Sequence, residues 1–155
     1  MKTSVALAGA LALVLACGGA PAALAQPAAR PTTAQYPKLY KVEWVYKIKY
    51  GFKEEWWKLF QKYQIPILER GRKRGFILDY EIHKPDLHTS EDSRWDYRII
   101  VTYPDRDGPY HEGEVTLELY PNPKVMEKDE HRRWEITEQH WDLPIHDVDP
   151  KGAGF

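Results

Sequence analysis

Residues 40–68 read YKVEWVYKIKYGFKEEWWKLFQKYQIPIL, and the spacing of their apolar residues changes at Gly51. Before this glycine every second residue is apolar, which is the period of a β-strand with one buried face. That face carries Val42, Trp44, Tyr46 and Ile48. After the glycine the apolar residues recur at helical spacing, and the stripe carries Phe52, Trp56, Leu59, Phe60, Tyr63 and Ile67. The sequence therefore predicts a strand followed directly by an amphipathic helix.

The end of this helix is marked by two features. Pro66 lacks an amide hydrogen, so we expect the helix to kink or restart near Ile65. Basic residues at 70, 72, 73 and 74 complement the negative end of a helix dipole. Gly75 suits the left-handed conformation that closes many helices. The helix is therefore predicted to end at Gly75.

The rest of the chain contains further strand and helix patterns. Alternating segments at 76–84 and 94–103 predict two strands, separated by a turn-rich loop. Residues 112–120 alternate like a strand but are bounded like a short helix, so both interpretations stay open. Asn122 and Pro123 predict the start of a helix that runs to Trp141. Pro144 then predicts its end, with a short last strand at Ile145–Val148.

The order of these elements predicts an α+β fold of the ferredoxin-like type, β-α-β-β-α-β. In this fold the helices cover one face of a four-stranded antiparallel sheet, and aromatic rings from both layers meet between them. Such a layer is either an aromatic core or the wall of a cavity for a flat apolar ligand. Trp57 falls off the helical stripe and needs another explanation, such as a domain edge or a subunit contact. The candidate ligand-binding residues are Trp44, Tyr46, Trp56, Tyr63, Tyr80, Tyr97 and His140.

The chain resembles the dimeric α/β-barrel superfamily, which includes antibiotic-biosynthesis-type monooxygenases. The resemblance rests on the Tyr-rich first strand, the Gly51 turn into an aromatic helix, and WDYRIIVTYPD at 95–105. It covers about residues 38–149. Within the superfamily, HWDLPIHDVD at 140–149 and RWDYRIIVTY at 94–103 resemble exported bacterial proteins of unknown function. The resemblance implies a homodimer formed through the sheets and a pocket between sheet and helices, and it carries over no catalytic residue.

The N-terminal residues predict export. Residues 1–25 have a basic start, an apolar run and an Ala-Leu-Ala cleavage signal, which is the order of a signal peptide. Residues 14–17 also resemble a lipoprotein box, in which Cys17 would be lipidated and would attach the protein to a membrane. Residues 26–37 are predicted to be a flexible linker, 38–149 one domain, and 150–155 a tail. We expect a periplasmic or secreted protein.

Composition excludes several functional classes. The formal net charge is −1, which does not indicate a nucleic-acid partner. Cys17 is the single cysteine, so a chain cleaved after Ala25 has no thiol chemistry. Six histidines occur without HxH or HExxH spacing, and phosphate-binding glycine loops are missing from the sequence, so we expect neither a metal nor a cofactor. Asp79, Glu81 and His83 share one strand face. We expect Asp96 and Arg98 on the neighbouring strand, so the set forms either a charge-paired surface or a general base.

Three functions fit these observations. The first is an exported protein that binds a small, largely apolar or aromatic molecule between sheet and helices. The second is a cofactor-independent monooxygenase or isomerase of the dimeric α/β-barrel type, in which His140 or a tyrosine hydroxyl moves a proton. The third is a non-catalytic structural protein of the cell envelope, which lipidation of Cys17 would favour.

Overall fold

A computed structural model describes residues 30–32, 35, 38–148 and 150–152. The predicted signal peptide, Cys17 and most of the linker lie outside these ranges. Within them the chain forms four strands, β1 Tyr40–Ile48, β2 Asp79–His83, β3 Tyr97–Tyr103 and β4 Thr137–Ile145. The helices are α1 Lys53–Lys73, α2 Glu112–Leu119 and α3 Lys124–Glu135, with 3₁₀ turns at Glu91–Ser93 and Gly108–His111.

The strands form one antiparallel sheet in the order β2-β3-β1-β4. This arrangement confirms the predicted α+β ferredoxin-like fold. The connection between β3 and β4 contains two helices, because residues 112–120, which the sequence left open, form α2. None of the helices in the described ranges combines the length and apolarity needed to cross a membrane.

The end of α3 and the position of β4 differ from the prediction. A helix continuing to Trp141 and a last strand at Ile145–Val148 were expected, and both expectations are wrong: α3 ends at Glu135 and β4 occupies Thr137–Ile145. The side chains of β4 point alternately to the two faces of the sheet. Pro144 does not prevent strand pairing, because β4 is an edge strand and proline is tolerated at sheet edges.

Helix α1 continues through Pro66 as one helix, so of the predicted kink or restart near Ile65 the restart does not occur. A proline at this position leaves the carbonyl of Lys62 without its usual helical donor. The hydroxyl of Tyr120 donates to that carbonyl instead, at 3.2 Å. The predicted cap is confirmed: Gly75 has φ +77°, and the amides of Gly75 and Phe76 donate to Arg72 and Gly71.

The core lies between α1 and the sheet. Trp56 and Phe60 stack on each other at 5.0 Å between ring centroids, and Tyr97 from β3 stacks on Trp56 at 5.1 Å. Trp57 extends this ring layer, because it stacks on Tyr97 at 5.0 Å. Its position off the helical stripe is thus explained by its contact with Tyr97, the first residue of β3. Apolar residues of β1 and β3 complete the core, among them Ile48, Ile99 and Val101.

Candidate functional site

A cavity of about 410 Å³ lies between the sheet and the helices, beside β1 and β4. The sheet supplies one wall, formed by Val42, Trp44, Tyr46, His140 and Asp142. The helices supply the opposite wall, formed by Gln64, Glu112, Arg133 and Trp134. The remaining lining residues are Tyr40, Tyr103, Arg106, Pro109 and Tyr110. The cavity therefore combines aromatic rings with a small set of polar groups.

The pairing register of β1 and β4 builds the sheet wall. Tyr46 lies opposite His140 and Trp44 lies opposite Asp142, so all four side chains point toward the helices. The rings of Tyr46 and His140 stack at 4.2 Å with an interplanar angle of 16°. A shift of one residue in this register would move His140 and Asp142 to the other face of the sheet.

Both nitrogens of His140 have a neighbouring acceptor. Nδ1 lies 3.1 Å from the carbonyl oxygen of Val45, and a carbonyl oxygen only accepts, so Nδ1 carries a proton. Nε2 lies 3.2 Å from Oδ1 of Asp142. These two contacts fix the imidazole plane and leave Nε2, beside the Asp142 carboxylate, as the nitrogen that would exchange a proton.

Arg133 is a buried cation in the helical wall. Its side chain is 1% exposed, and Nε and Nη2 donate to Glu130 at 3.1 and 2.7 Å. The guanidinium also lies over the ring of Trp134, 5.0 Å from its centroid. No hydrogen-bond partner for Nη1 is found among the described residues. A buried polar atom without a partner is uncommon, because it loses its water contacts and gains nothing in return.

Burial also shifts the titration of groups in the walls. It raises the pKa of Glu112, and a hydrogen bond with Gln64 opposes this effect. Burial raises the pKa values of Tyr46 and Tyr103 as well, and the positive charge of Arg133 opposes the shift at Tyr46. Both hydroxyls therefore keep their protons at neutral pH, and they act as neutral hydrogen-bonding groups.

The backbone of Gly108 lies close to the ring of Tyr103, which lines the cavity. A methyl group on Gly108 would lie 2.6 Å from the Tyr103 ring, so only glycine allows this approach.

Three of the seven predicted ligand-binding residues line the cavity, namely Trp44, Tyr46 and His140. The other four lie outside it. Trp56 is buried in the ring layer, Tyr63 donates to Asp129 at 2.9 Å, Tyr80 donates to Glu69 at 2.5 Å, and Tyr97 stacks on Trp56. A role in ligand binding stays a prediction for all seven.

Several lining residues were not identified from the sequence. Asp142 has a detectable signal, because it alternates with Trp141 and Leu143 once the segment is assigned to a strand. Arg133 lies in a mostly charged run, where it cannot be distinguished from the half-buried Arg132 beside it. Gln64 and Glu112 have no local signal, because they meet only when α1 and α2 pack together.

The acidic and basic set on the sheet lies away from this cavity. Glu81 and His83 are ion-paired at 3.5 Å, and His83 lies opposite Arg98 on the face turned away from the helices. Asp96 does not join them, because it is buried and accepts from the amide of Ile48 at 2.7 Å. In the described part of the chain, no group of three or more His, Cys, Asp or Glu side chains is placed to hold a metal.

No protein-family model matches the chain, and no curated protein matches it. Among solved structures, it is similar to a NIPSNAP family protein from Agrobacterium tumefaciens strain C58, with a TM-score of 0.50 and 16% identity. The similarity covers 72% of this chain and 95% of that protein. The chain has the ferredoxin-like fold.

Two further similar structures carry the same fold description. One is a dimeric ferredoxin-like protein from an uncultured marine organism, with a TM-score of 0.48, 6% identity and coverage of 78% and 100% of the two chains. The other is a dabb family protein with a ferredoxin-like fold from Mesorhizobium loti, with a TM-score of 0.45, 9% identity and coverage of 72% and 98%. The ferredoxin-like fold that the resemblance implies is thus the fold that the chain has.

Proposed function

We propose that this chain is an exported, homodimeric protein that binds a small aromatic molecule in the cavity beside β1 and β4. The observation that carries the proposal is the cavity itself, at about 410 Å³ between sheet and helices. Ligand pockets in proteins span roughly 300–1,000 Å³ and combine apolar walls with a few polar groups. The rings of Trp44, Tyr46 and Trp134 offer flat faces on which an aromatic ligand would stack.

The ligand proposal is tested with 2-methylnaphthalene and 2-naphthol as probes, by ligand-observed NMR titration. Trp44→Ala removes a ring that lines the cavity, so we expect affinity to fall by about tenfold. The matched control is Trp57→Ala, which removes a ring of the core layer outside the cavity. We expect its affinity to equal that of the unchanged protein. Equal loss in both variants, or binding of neither probe, would contradict the proposal.

Export is proposed from the signal-like residues 1–25. Intact-mass measurement of protein from the cell envelope and medium should give a chain that starts at Gln26, or a lipidated chain that starts at Cys17. Protein recovered from the cytoplasm with Met1 retained would contradict export. This measurement also distinguishes a free protein from one attached to the membrane.

A second candidate function is catalysis by a cofactor-independent monooxygenase or isomerase. The observation that favours it is the Asp142–His140 pair, stacked beside Tyr46 in the cavity wall. Because the carbonyl of Val45 holds Nδ1, the groups that would move a proton on a bound phenol or quinol are Nε2 of His140 and the Asp142 carboxylate beside it. Incubation with such compounds in air, followed by mass spectrometry, should then reveal an oxygenated or isomerised product. His140→Gln should abolish product formation while 2-naphthol still binds, whereas an unchanged rate would contradict this candidate.

A further inference from the structure

We infer that the ligand carries a hydroxyl group, which the cavity recognises by placing it between the guanidinium of Arg133 and the side-chain carbonyl of Gln64. This inference rests on the proposed function, because it concerns the same cavity. It adds the chemical class of the ligand, a ring that bears a group able both to accept and to donate a hydrogen bond. Neither residue has a signal in the sequence for this role.

Arg133 supplies the donor. Glu130 binds Nε and Nη2, which leaves Nη1 on the other side of the guanidinium. Nη1 has two N–H groups, so one of them lacks an acceptor even when the other points toward the nearby hydroxyl of Tyr46. The pairing with Glu130 also balances the charge of Arg133. The requirement that remains at Nη1 is therefore for a hydrogen-bond acceptor rather than for a negative charge.

Gln64 supplies the acceptor. Its side chain lines the same cavity from α1, and its amide hydrogen-bonds Glu112. Because a carboxylate accepts, the Gln64 amide nitrogen donates in that contact and Oε1 is left over. Oε1 is buried and, across the described residues, has no hydrogen-bond partner. Two residues that line the cavity, on two different helices, thus have one donor atom and one acceptor atom without a partner among the described residues.

One hydroxyl group within reach of both atoms would satisfy them, because its oxygen would accept from Nη1 while its hydrogen would be donated to Oε1. A carboxylate would satisfy Nη1 and would have a second cation, Arg106, in the lining. It would nevertheless leave Oε1 unmatched and would meet Asp142 and Glu112, which are also acceptors when Glu112 is ionised. An ammonium group would satisfy only Oε1 and would be placed near the positive Arg133. The chemistry of the walls therefore favours a neutral hydroxyl on an aromatic ring.

Four probes of nearly equal shape test the inference on the unchanged protein: 2-naphthol, 2-methoxynaphthalene, 2-methylnaphthalene and 2-naphthoate. The methoxy compound keeps the acceptor oxygen and lacks the donor hydrogen, and the methyl compound lacks both. We expect 2-naphthol to bind about tenfold more tightly than 2-methylnaphthalene, with 2-methoxynaphthalene between them, because a buried polar site discriminates against analogues that leave its groups unpaired. Dissociation constants come from NMR titration at neutral pH.

Two variants assign the preference to the proposed atoms. Gln64→Leu removes Oε1 and keeps the size of the side chain, so 2-naphthol should bind no better than 2-methoxynaphthalene. Arg133→Met removes Nη1 and should reduce the advantage of both oxygen-bearing probes over 2-methylnaphthalene. Its matched control is Arg132→Met, the neighbouring residue on α3, which pairs with Glu55 outside the cavity. This control should keep the preference of the unchanged protein.

The possible results separate this inference from the proposed function. Equal binding of 2-naphthol and 2-methylnaphthalene would overturn the hydroxyl inference and leave a ring-binding cavity. Tightest binding of 2-naphthoate would also overturn it, since Arg133 would then be an anion site. A preference for 2-naphthol that survives Gln64→Leu would overturn the assignment even if Arg133→Met does not fold. Failure of every probe to bind would contradict both proposals.

Discussion

Trp56 lies in the middle of the ring layer, and none of its side chain is exposed. Its ring stacks on Phe60 and on Tyr97, and its indole N–H donates to Thr137 at 2.9 Å. Tyr63, one turn further along α1 from Phe60, is not a lining residue of the cavity and donates to Asp129. At the scale of single residues, both side chains have the surroundings of core residues.

We expect Trp56→Ala to lower the free energy of unfolding by about 3–5 kcal/mol, because a large buried ring is replaced by a void. Tyr63→Phe keeps its volume and loses one hydrogen bond, so a loss of about 0.5–1.5 kcal/mol is expected. Chemical denaturation measures both. If Tyr63→Phe left stability unchanged but weakened the binding of 2-naphthol, Tyr63 would instead belong to the binding site.

Glu112, which lines the cavity, makes the stability of the protein depend on pH. Burial raises its pKa in the folded protein, so the folded state holds this proton more tightly than the unfolded state. The stability that it contributes is complete below the unfolded pKa of about 4.3 and is lost as pH rises through the folded value. We expect Glu112→Gln, which stays neutral, to become more stable than the unchanged protein as pH rises from about 4 to about 7.

The measurement is the denaturation midpoint at a series of pH values for both proteins. A matched control is Glu114→Gln, two residues along α2, where ion pairing with Arg74 lowers the pKa. This control should change stability in the opposite direction over the same range. Parallel pH profiles for Glu112→Gln and the unchanged protein would contradict the prediction.

At the scale of elements, α1 shows how a helix tolerates an internal proline. The carbonyl of Lys62 loses the donor that residue 66 would supply, and the hydroxyl of Tyr120, just after α2, replaces it. The ring of Tyr120 also packs edge-on against Tyr63 at 5.4 Å. The connection after α2 is thus hydrogen-bonded to the turn of α1 in which Pro66 removes a backbone donor.

We expect Tyr120→Phe to lower the free energy of unfolding by about 0.5–1 kcal/mol, since it leaves the Lys62 carbonyl with water as its partner. The substitution Pro66→Ala restores the backbone donor at position 66 and is combined with Tyr120→Phe. In that background Tyr120→Phe should have a smaller effect, and a double-mutant cycle measured by chemical denaturation gives the difference. Equal effects in both backgrounds would show that Tyr120 does not compensate for the proline.

The elements also show where sequence patterns are sufficient. β1 and α1 were predicted because each has a clear period and is bounded by Gly51 or Gly75, both of which have positive φ. β4 was missed because Pro144 was interpreted as the end of a helix, a rule that does not hold for a strand at the sheet edge. The cavity was predicted only in part. Its walls depend on how α1, α2 and α3 pack, and local patterns do not contain that information.

At the scale of the whole molecule, the sheet has a second face, which the helices of the described residues do not cover. Trp141 and Leu143 of β4 lie on it and are 37% and 42% exposed, beside Val45 and Glu43 of β1. Exposed apolar side chains grouped on one face of a sheet indicate an interaction surface. The proposed homodimer would place this face against its copy.

Light scattering at micromolar concentration should therefore give twice the mass of the mature chain. We expect Leu143→Lys to yield a monomer with little change in fold stability, because the side chain is already exposed. Leu117→Lys is the matched control, since Leu117 is 61% exposed on α2, and it should remain dimeric. A monomeric unchanged protein would contradict the homodimer.

Pro144 has a further consequence for the protein in crowded solution. β4 is one edge strand of the sheet, and β2, with five residues, is the other. The unpaired backbone N–H and C=O groups of edge strands can pair with strands of other molecules and start aggregation. Pro144 has no amide hydrogen to offer, and β4 also carries the charges of Glu138 and Asp142. The sheet is therefore a poor template for fibril growth, even though it exposes a tryptophan and a leucine.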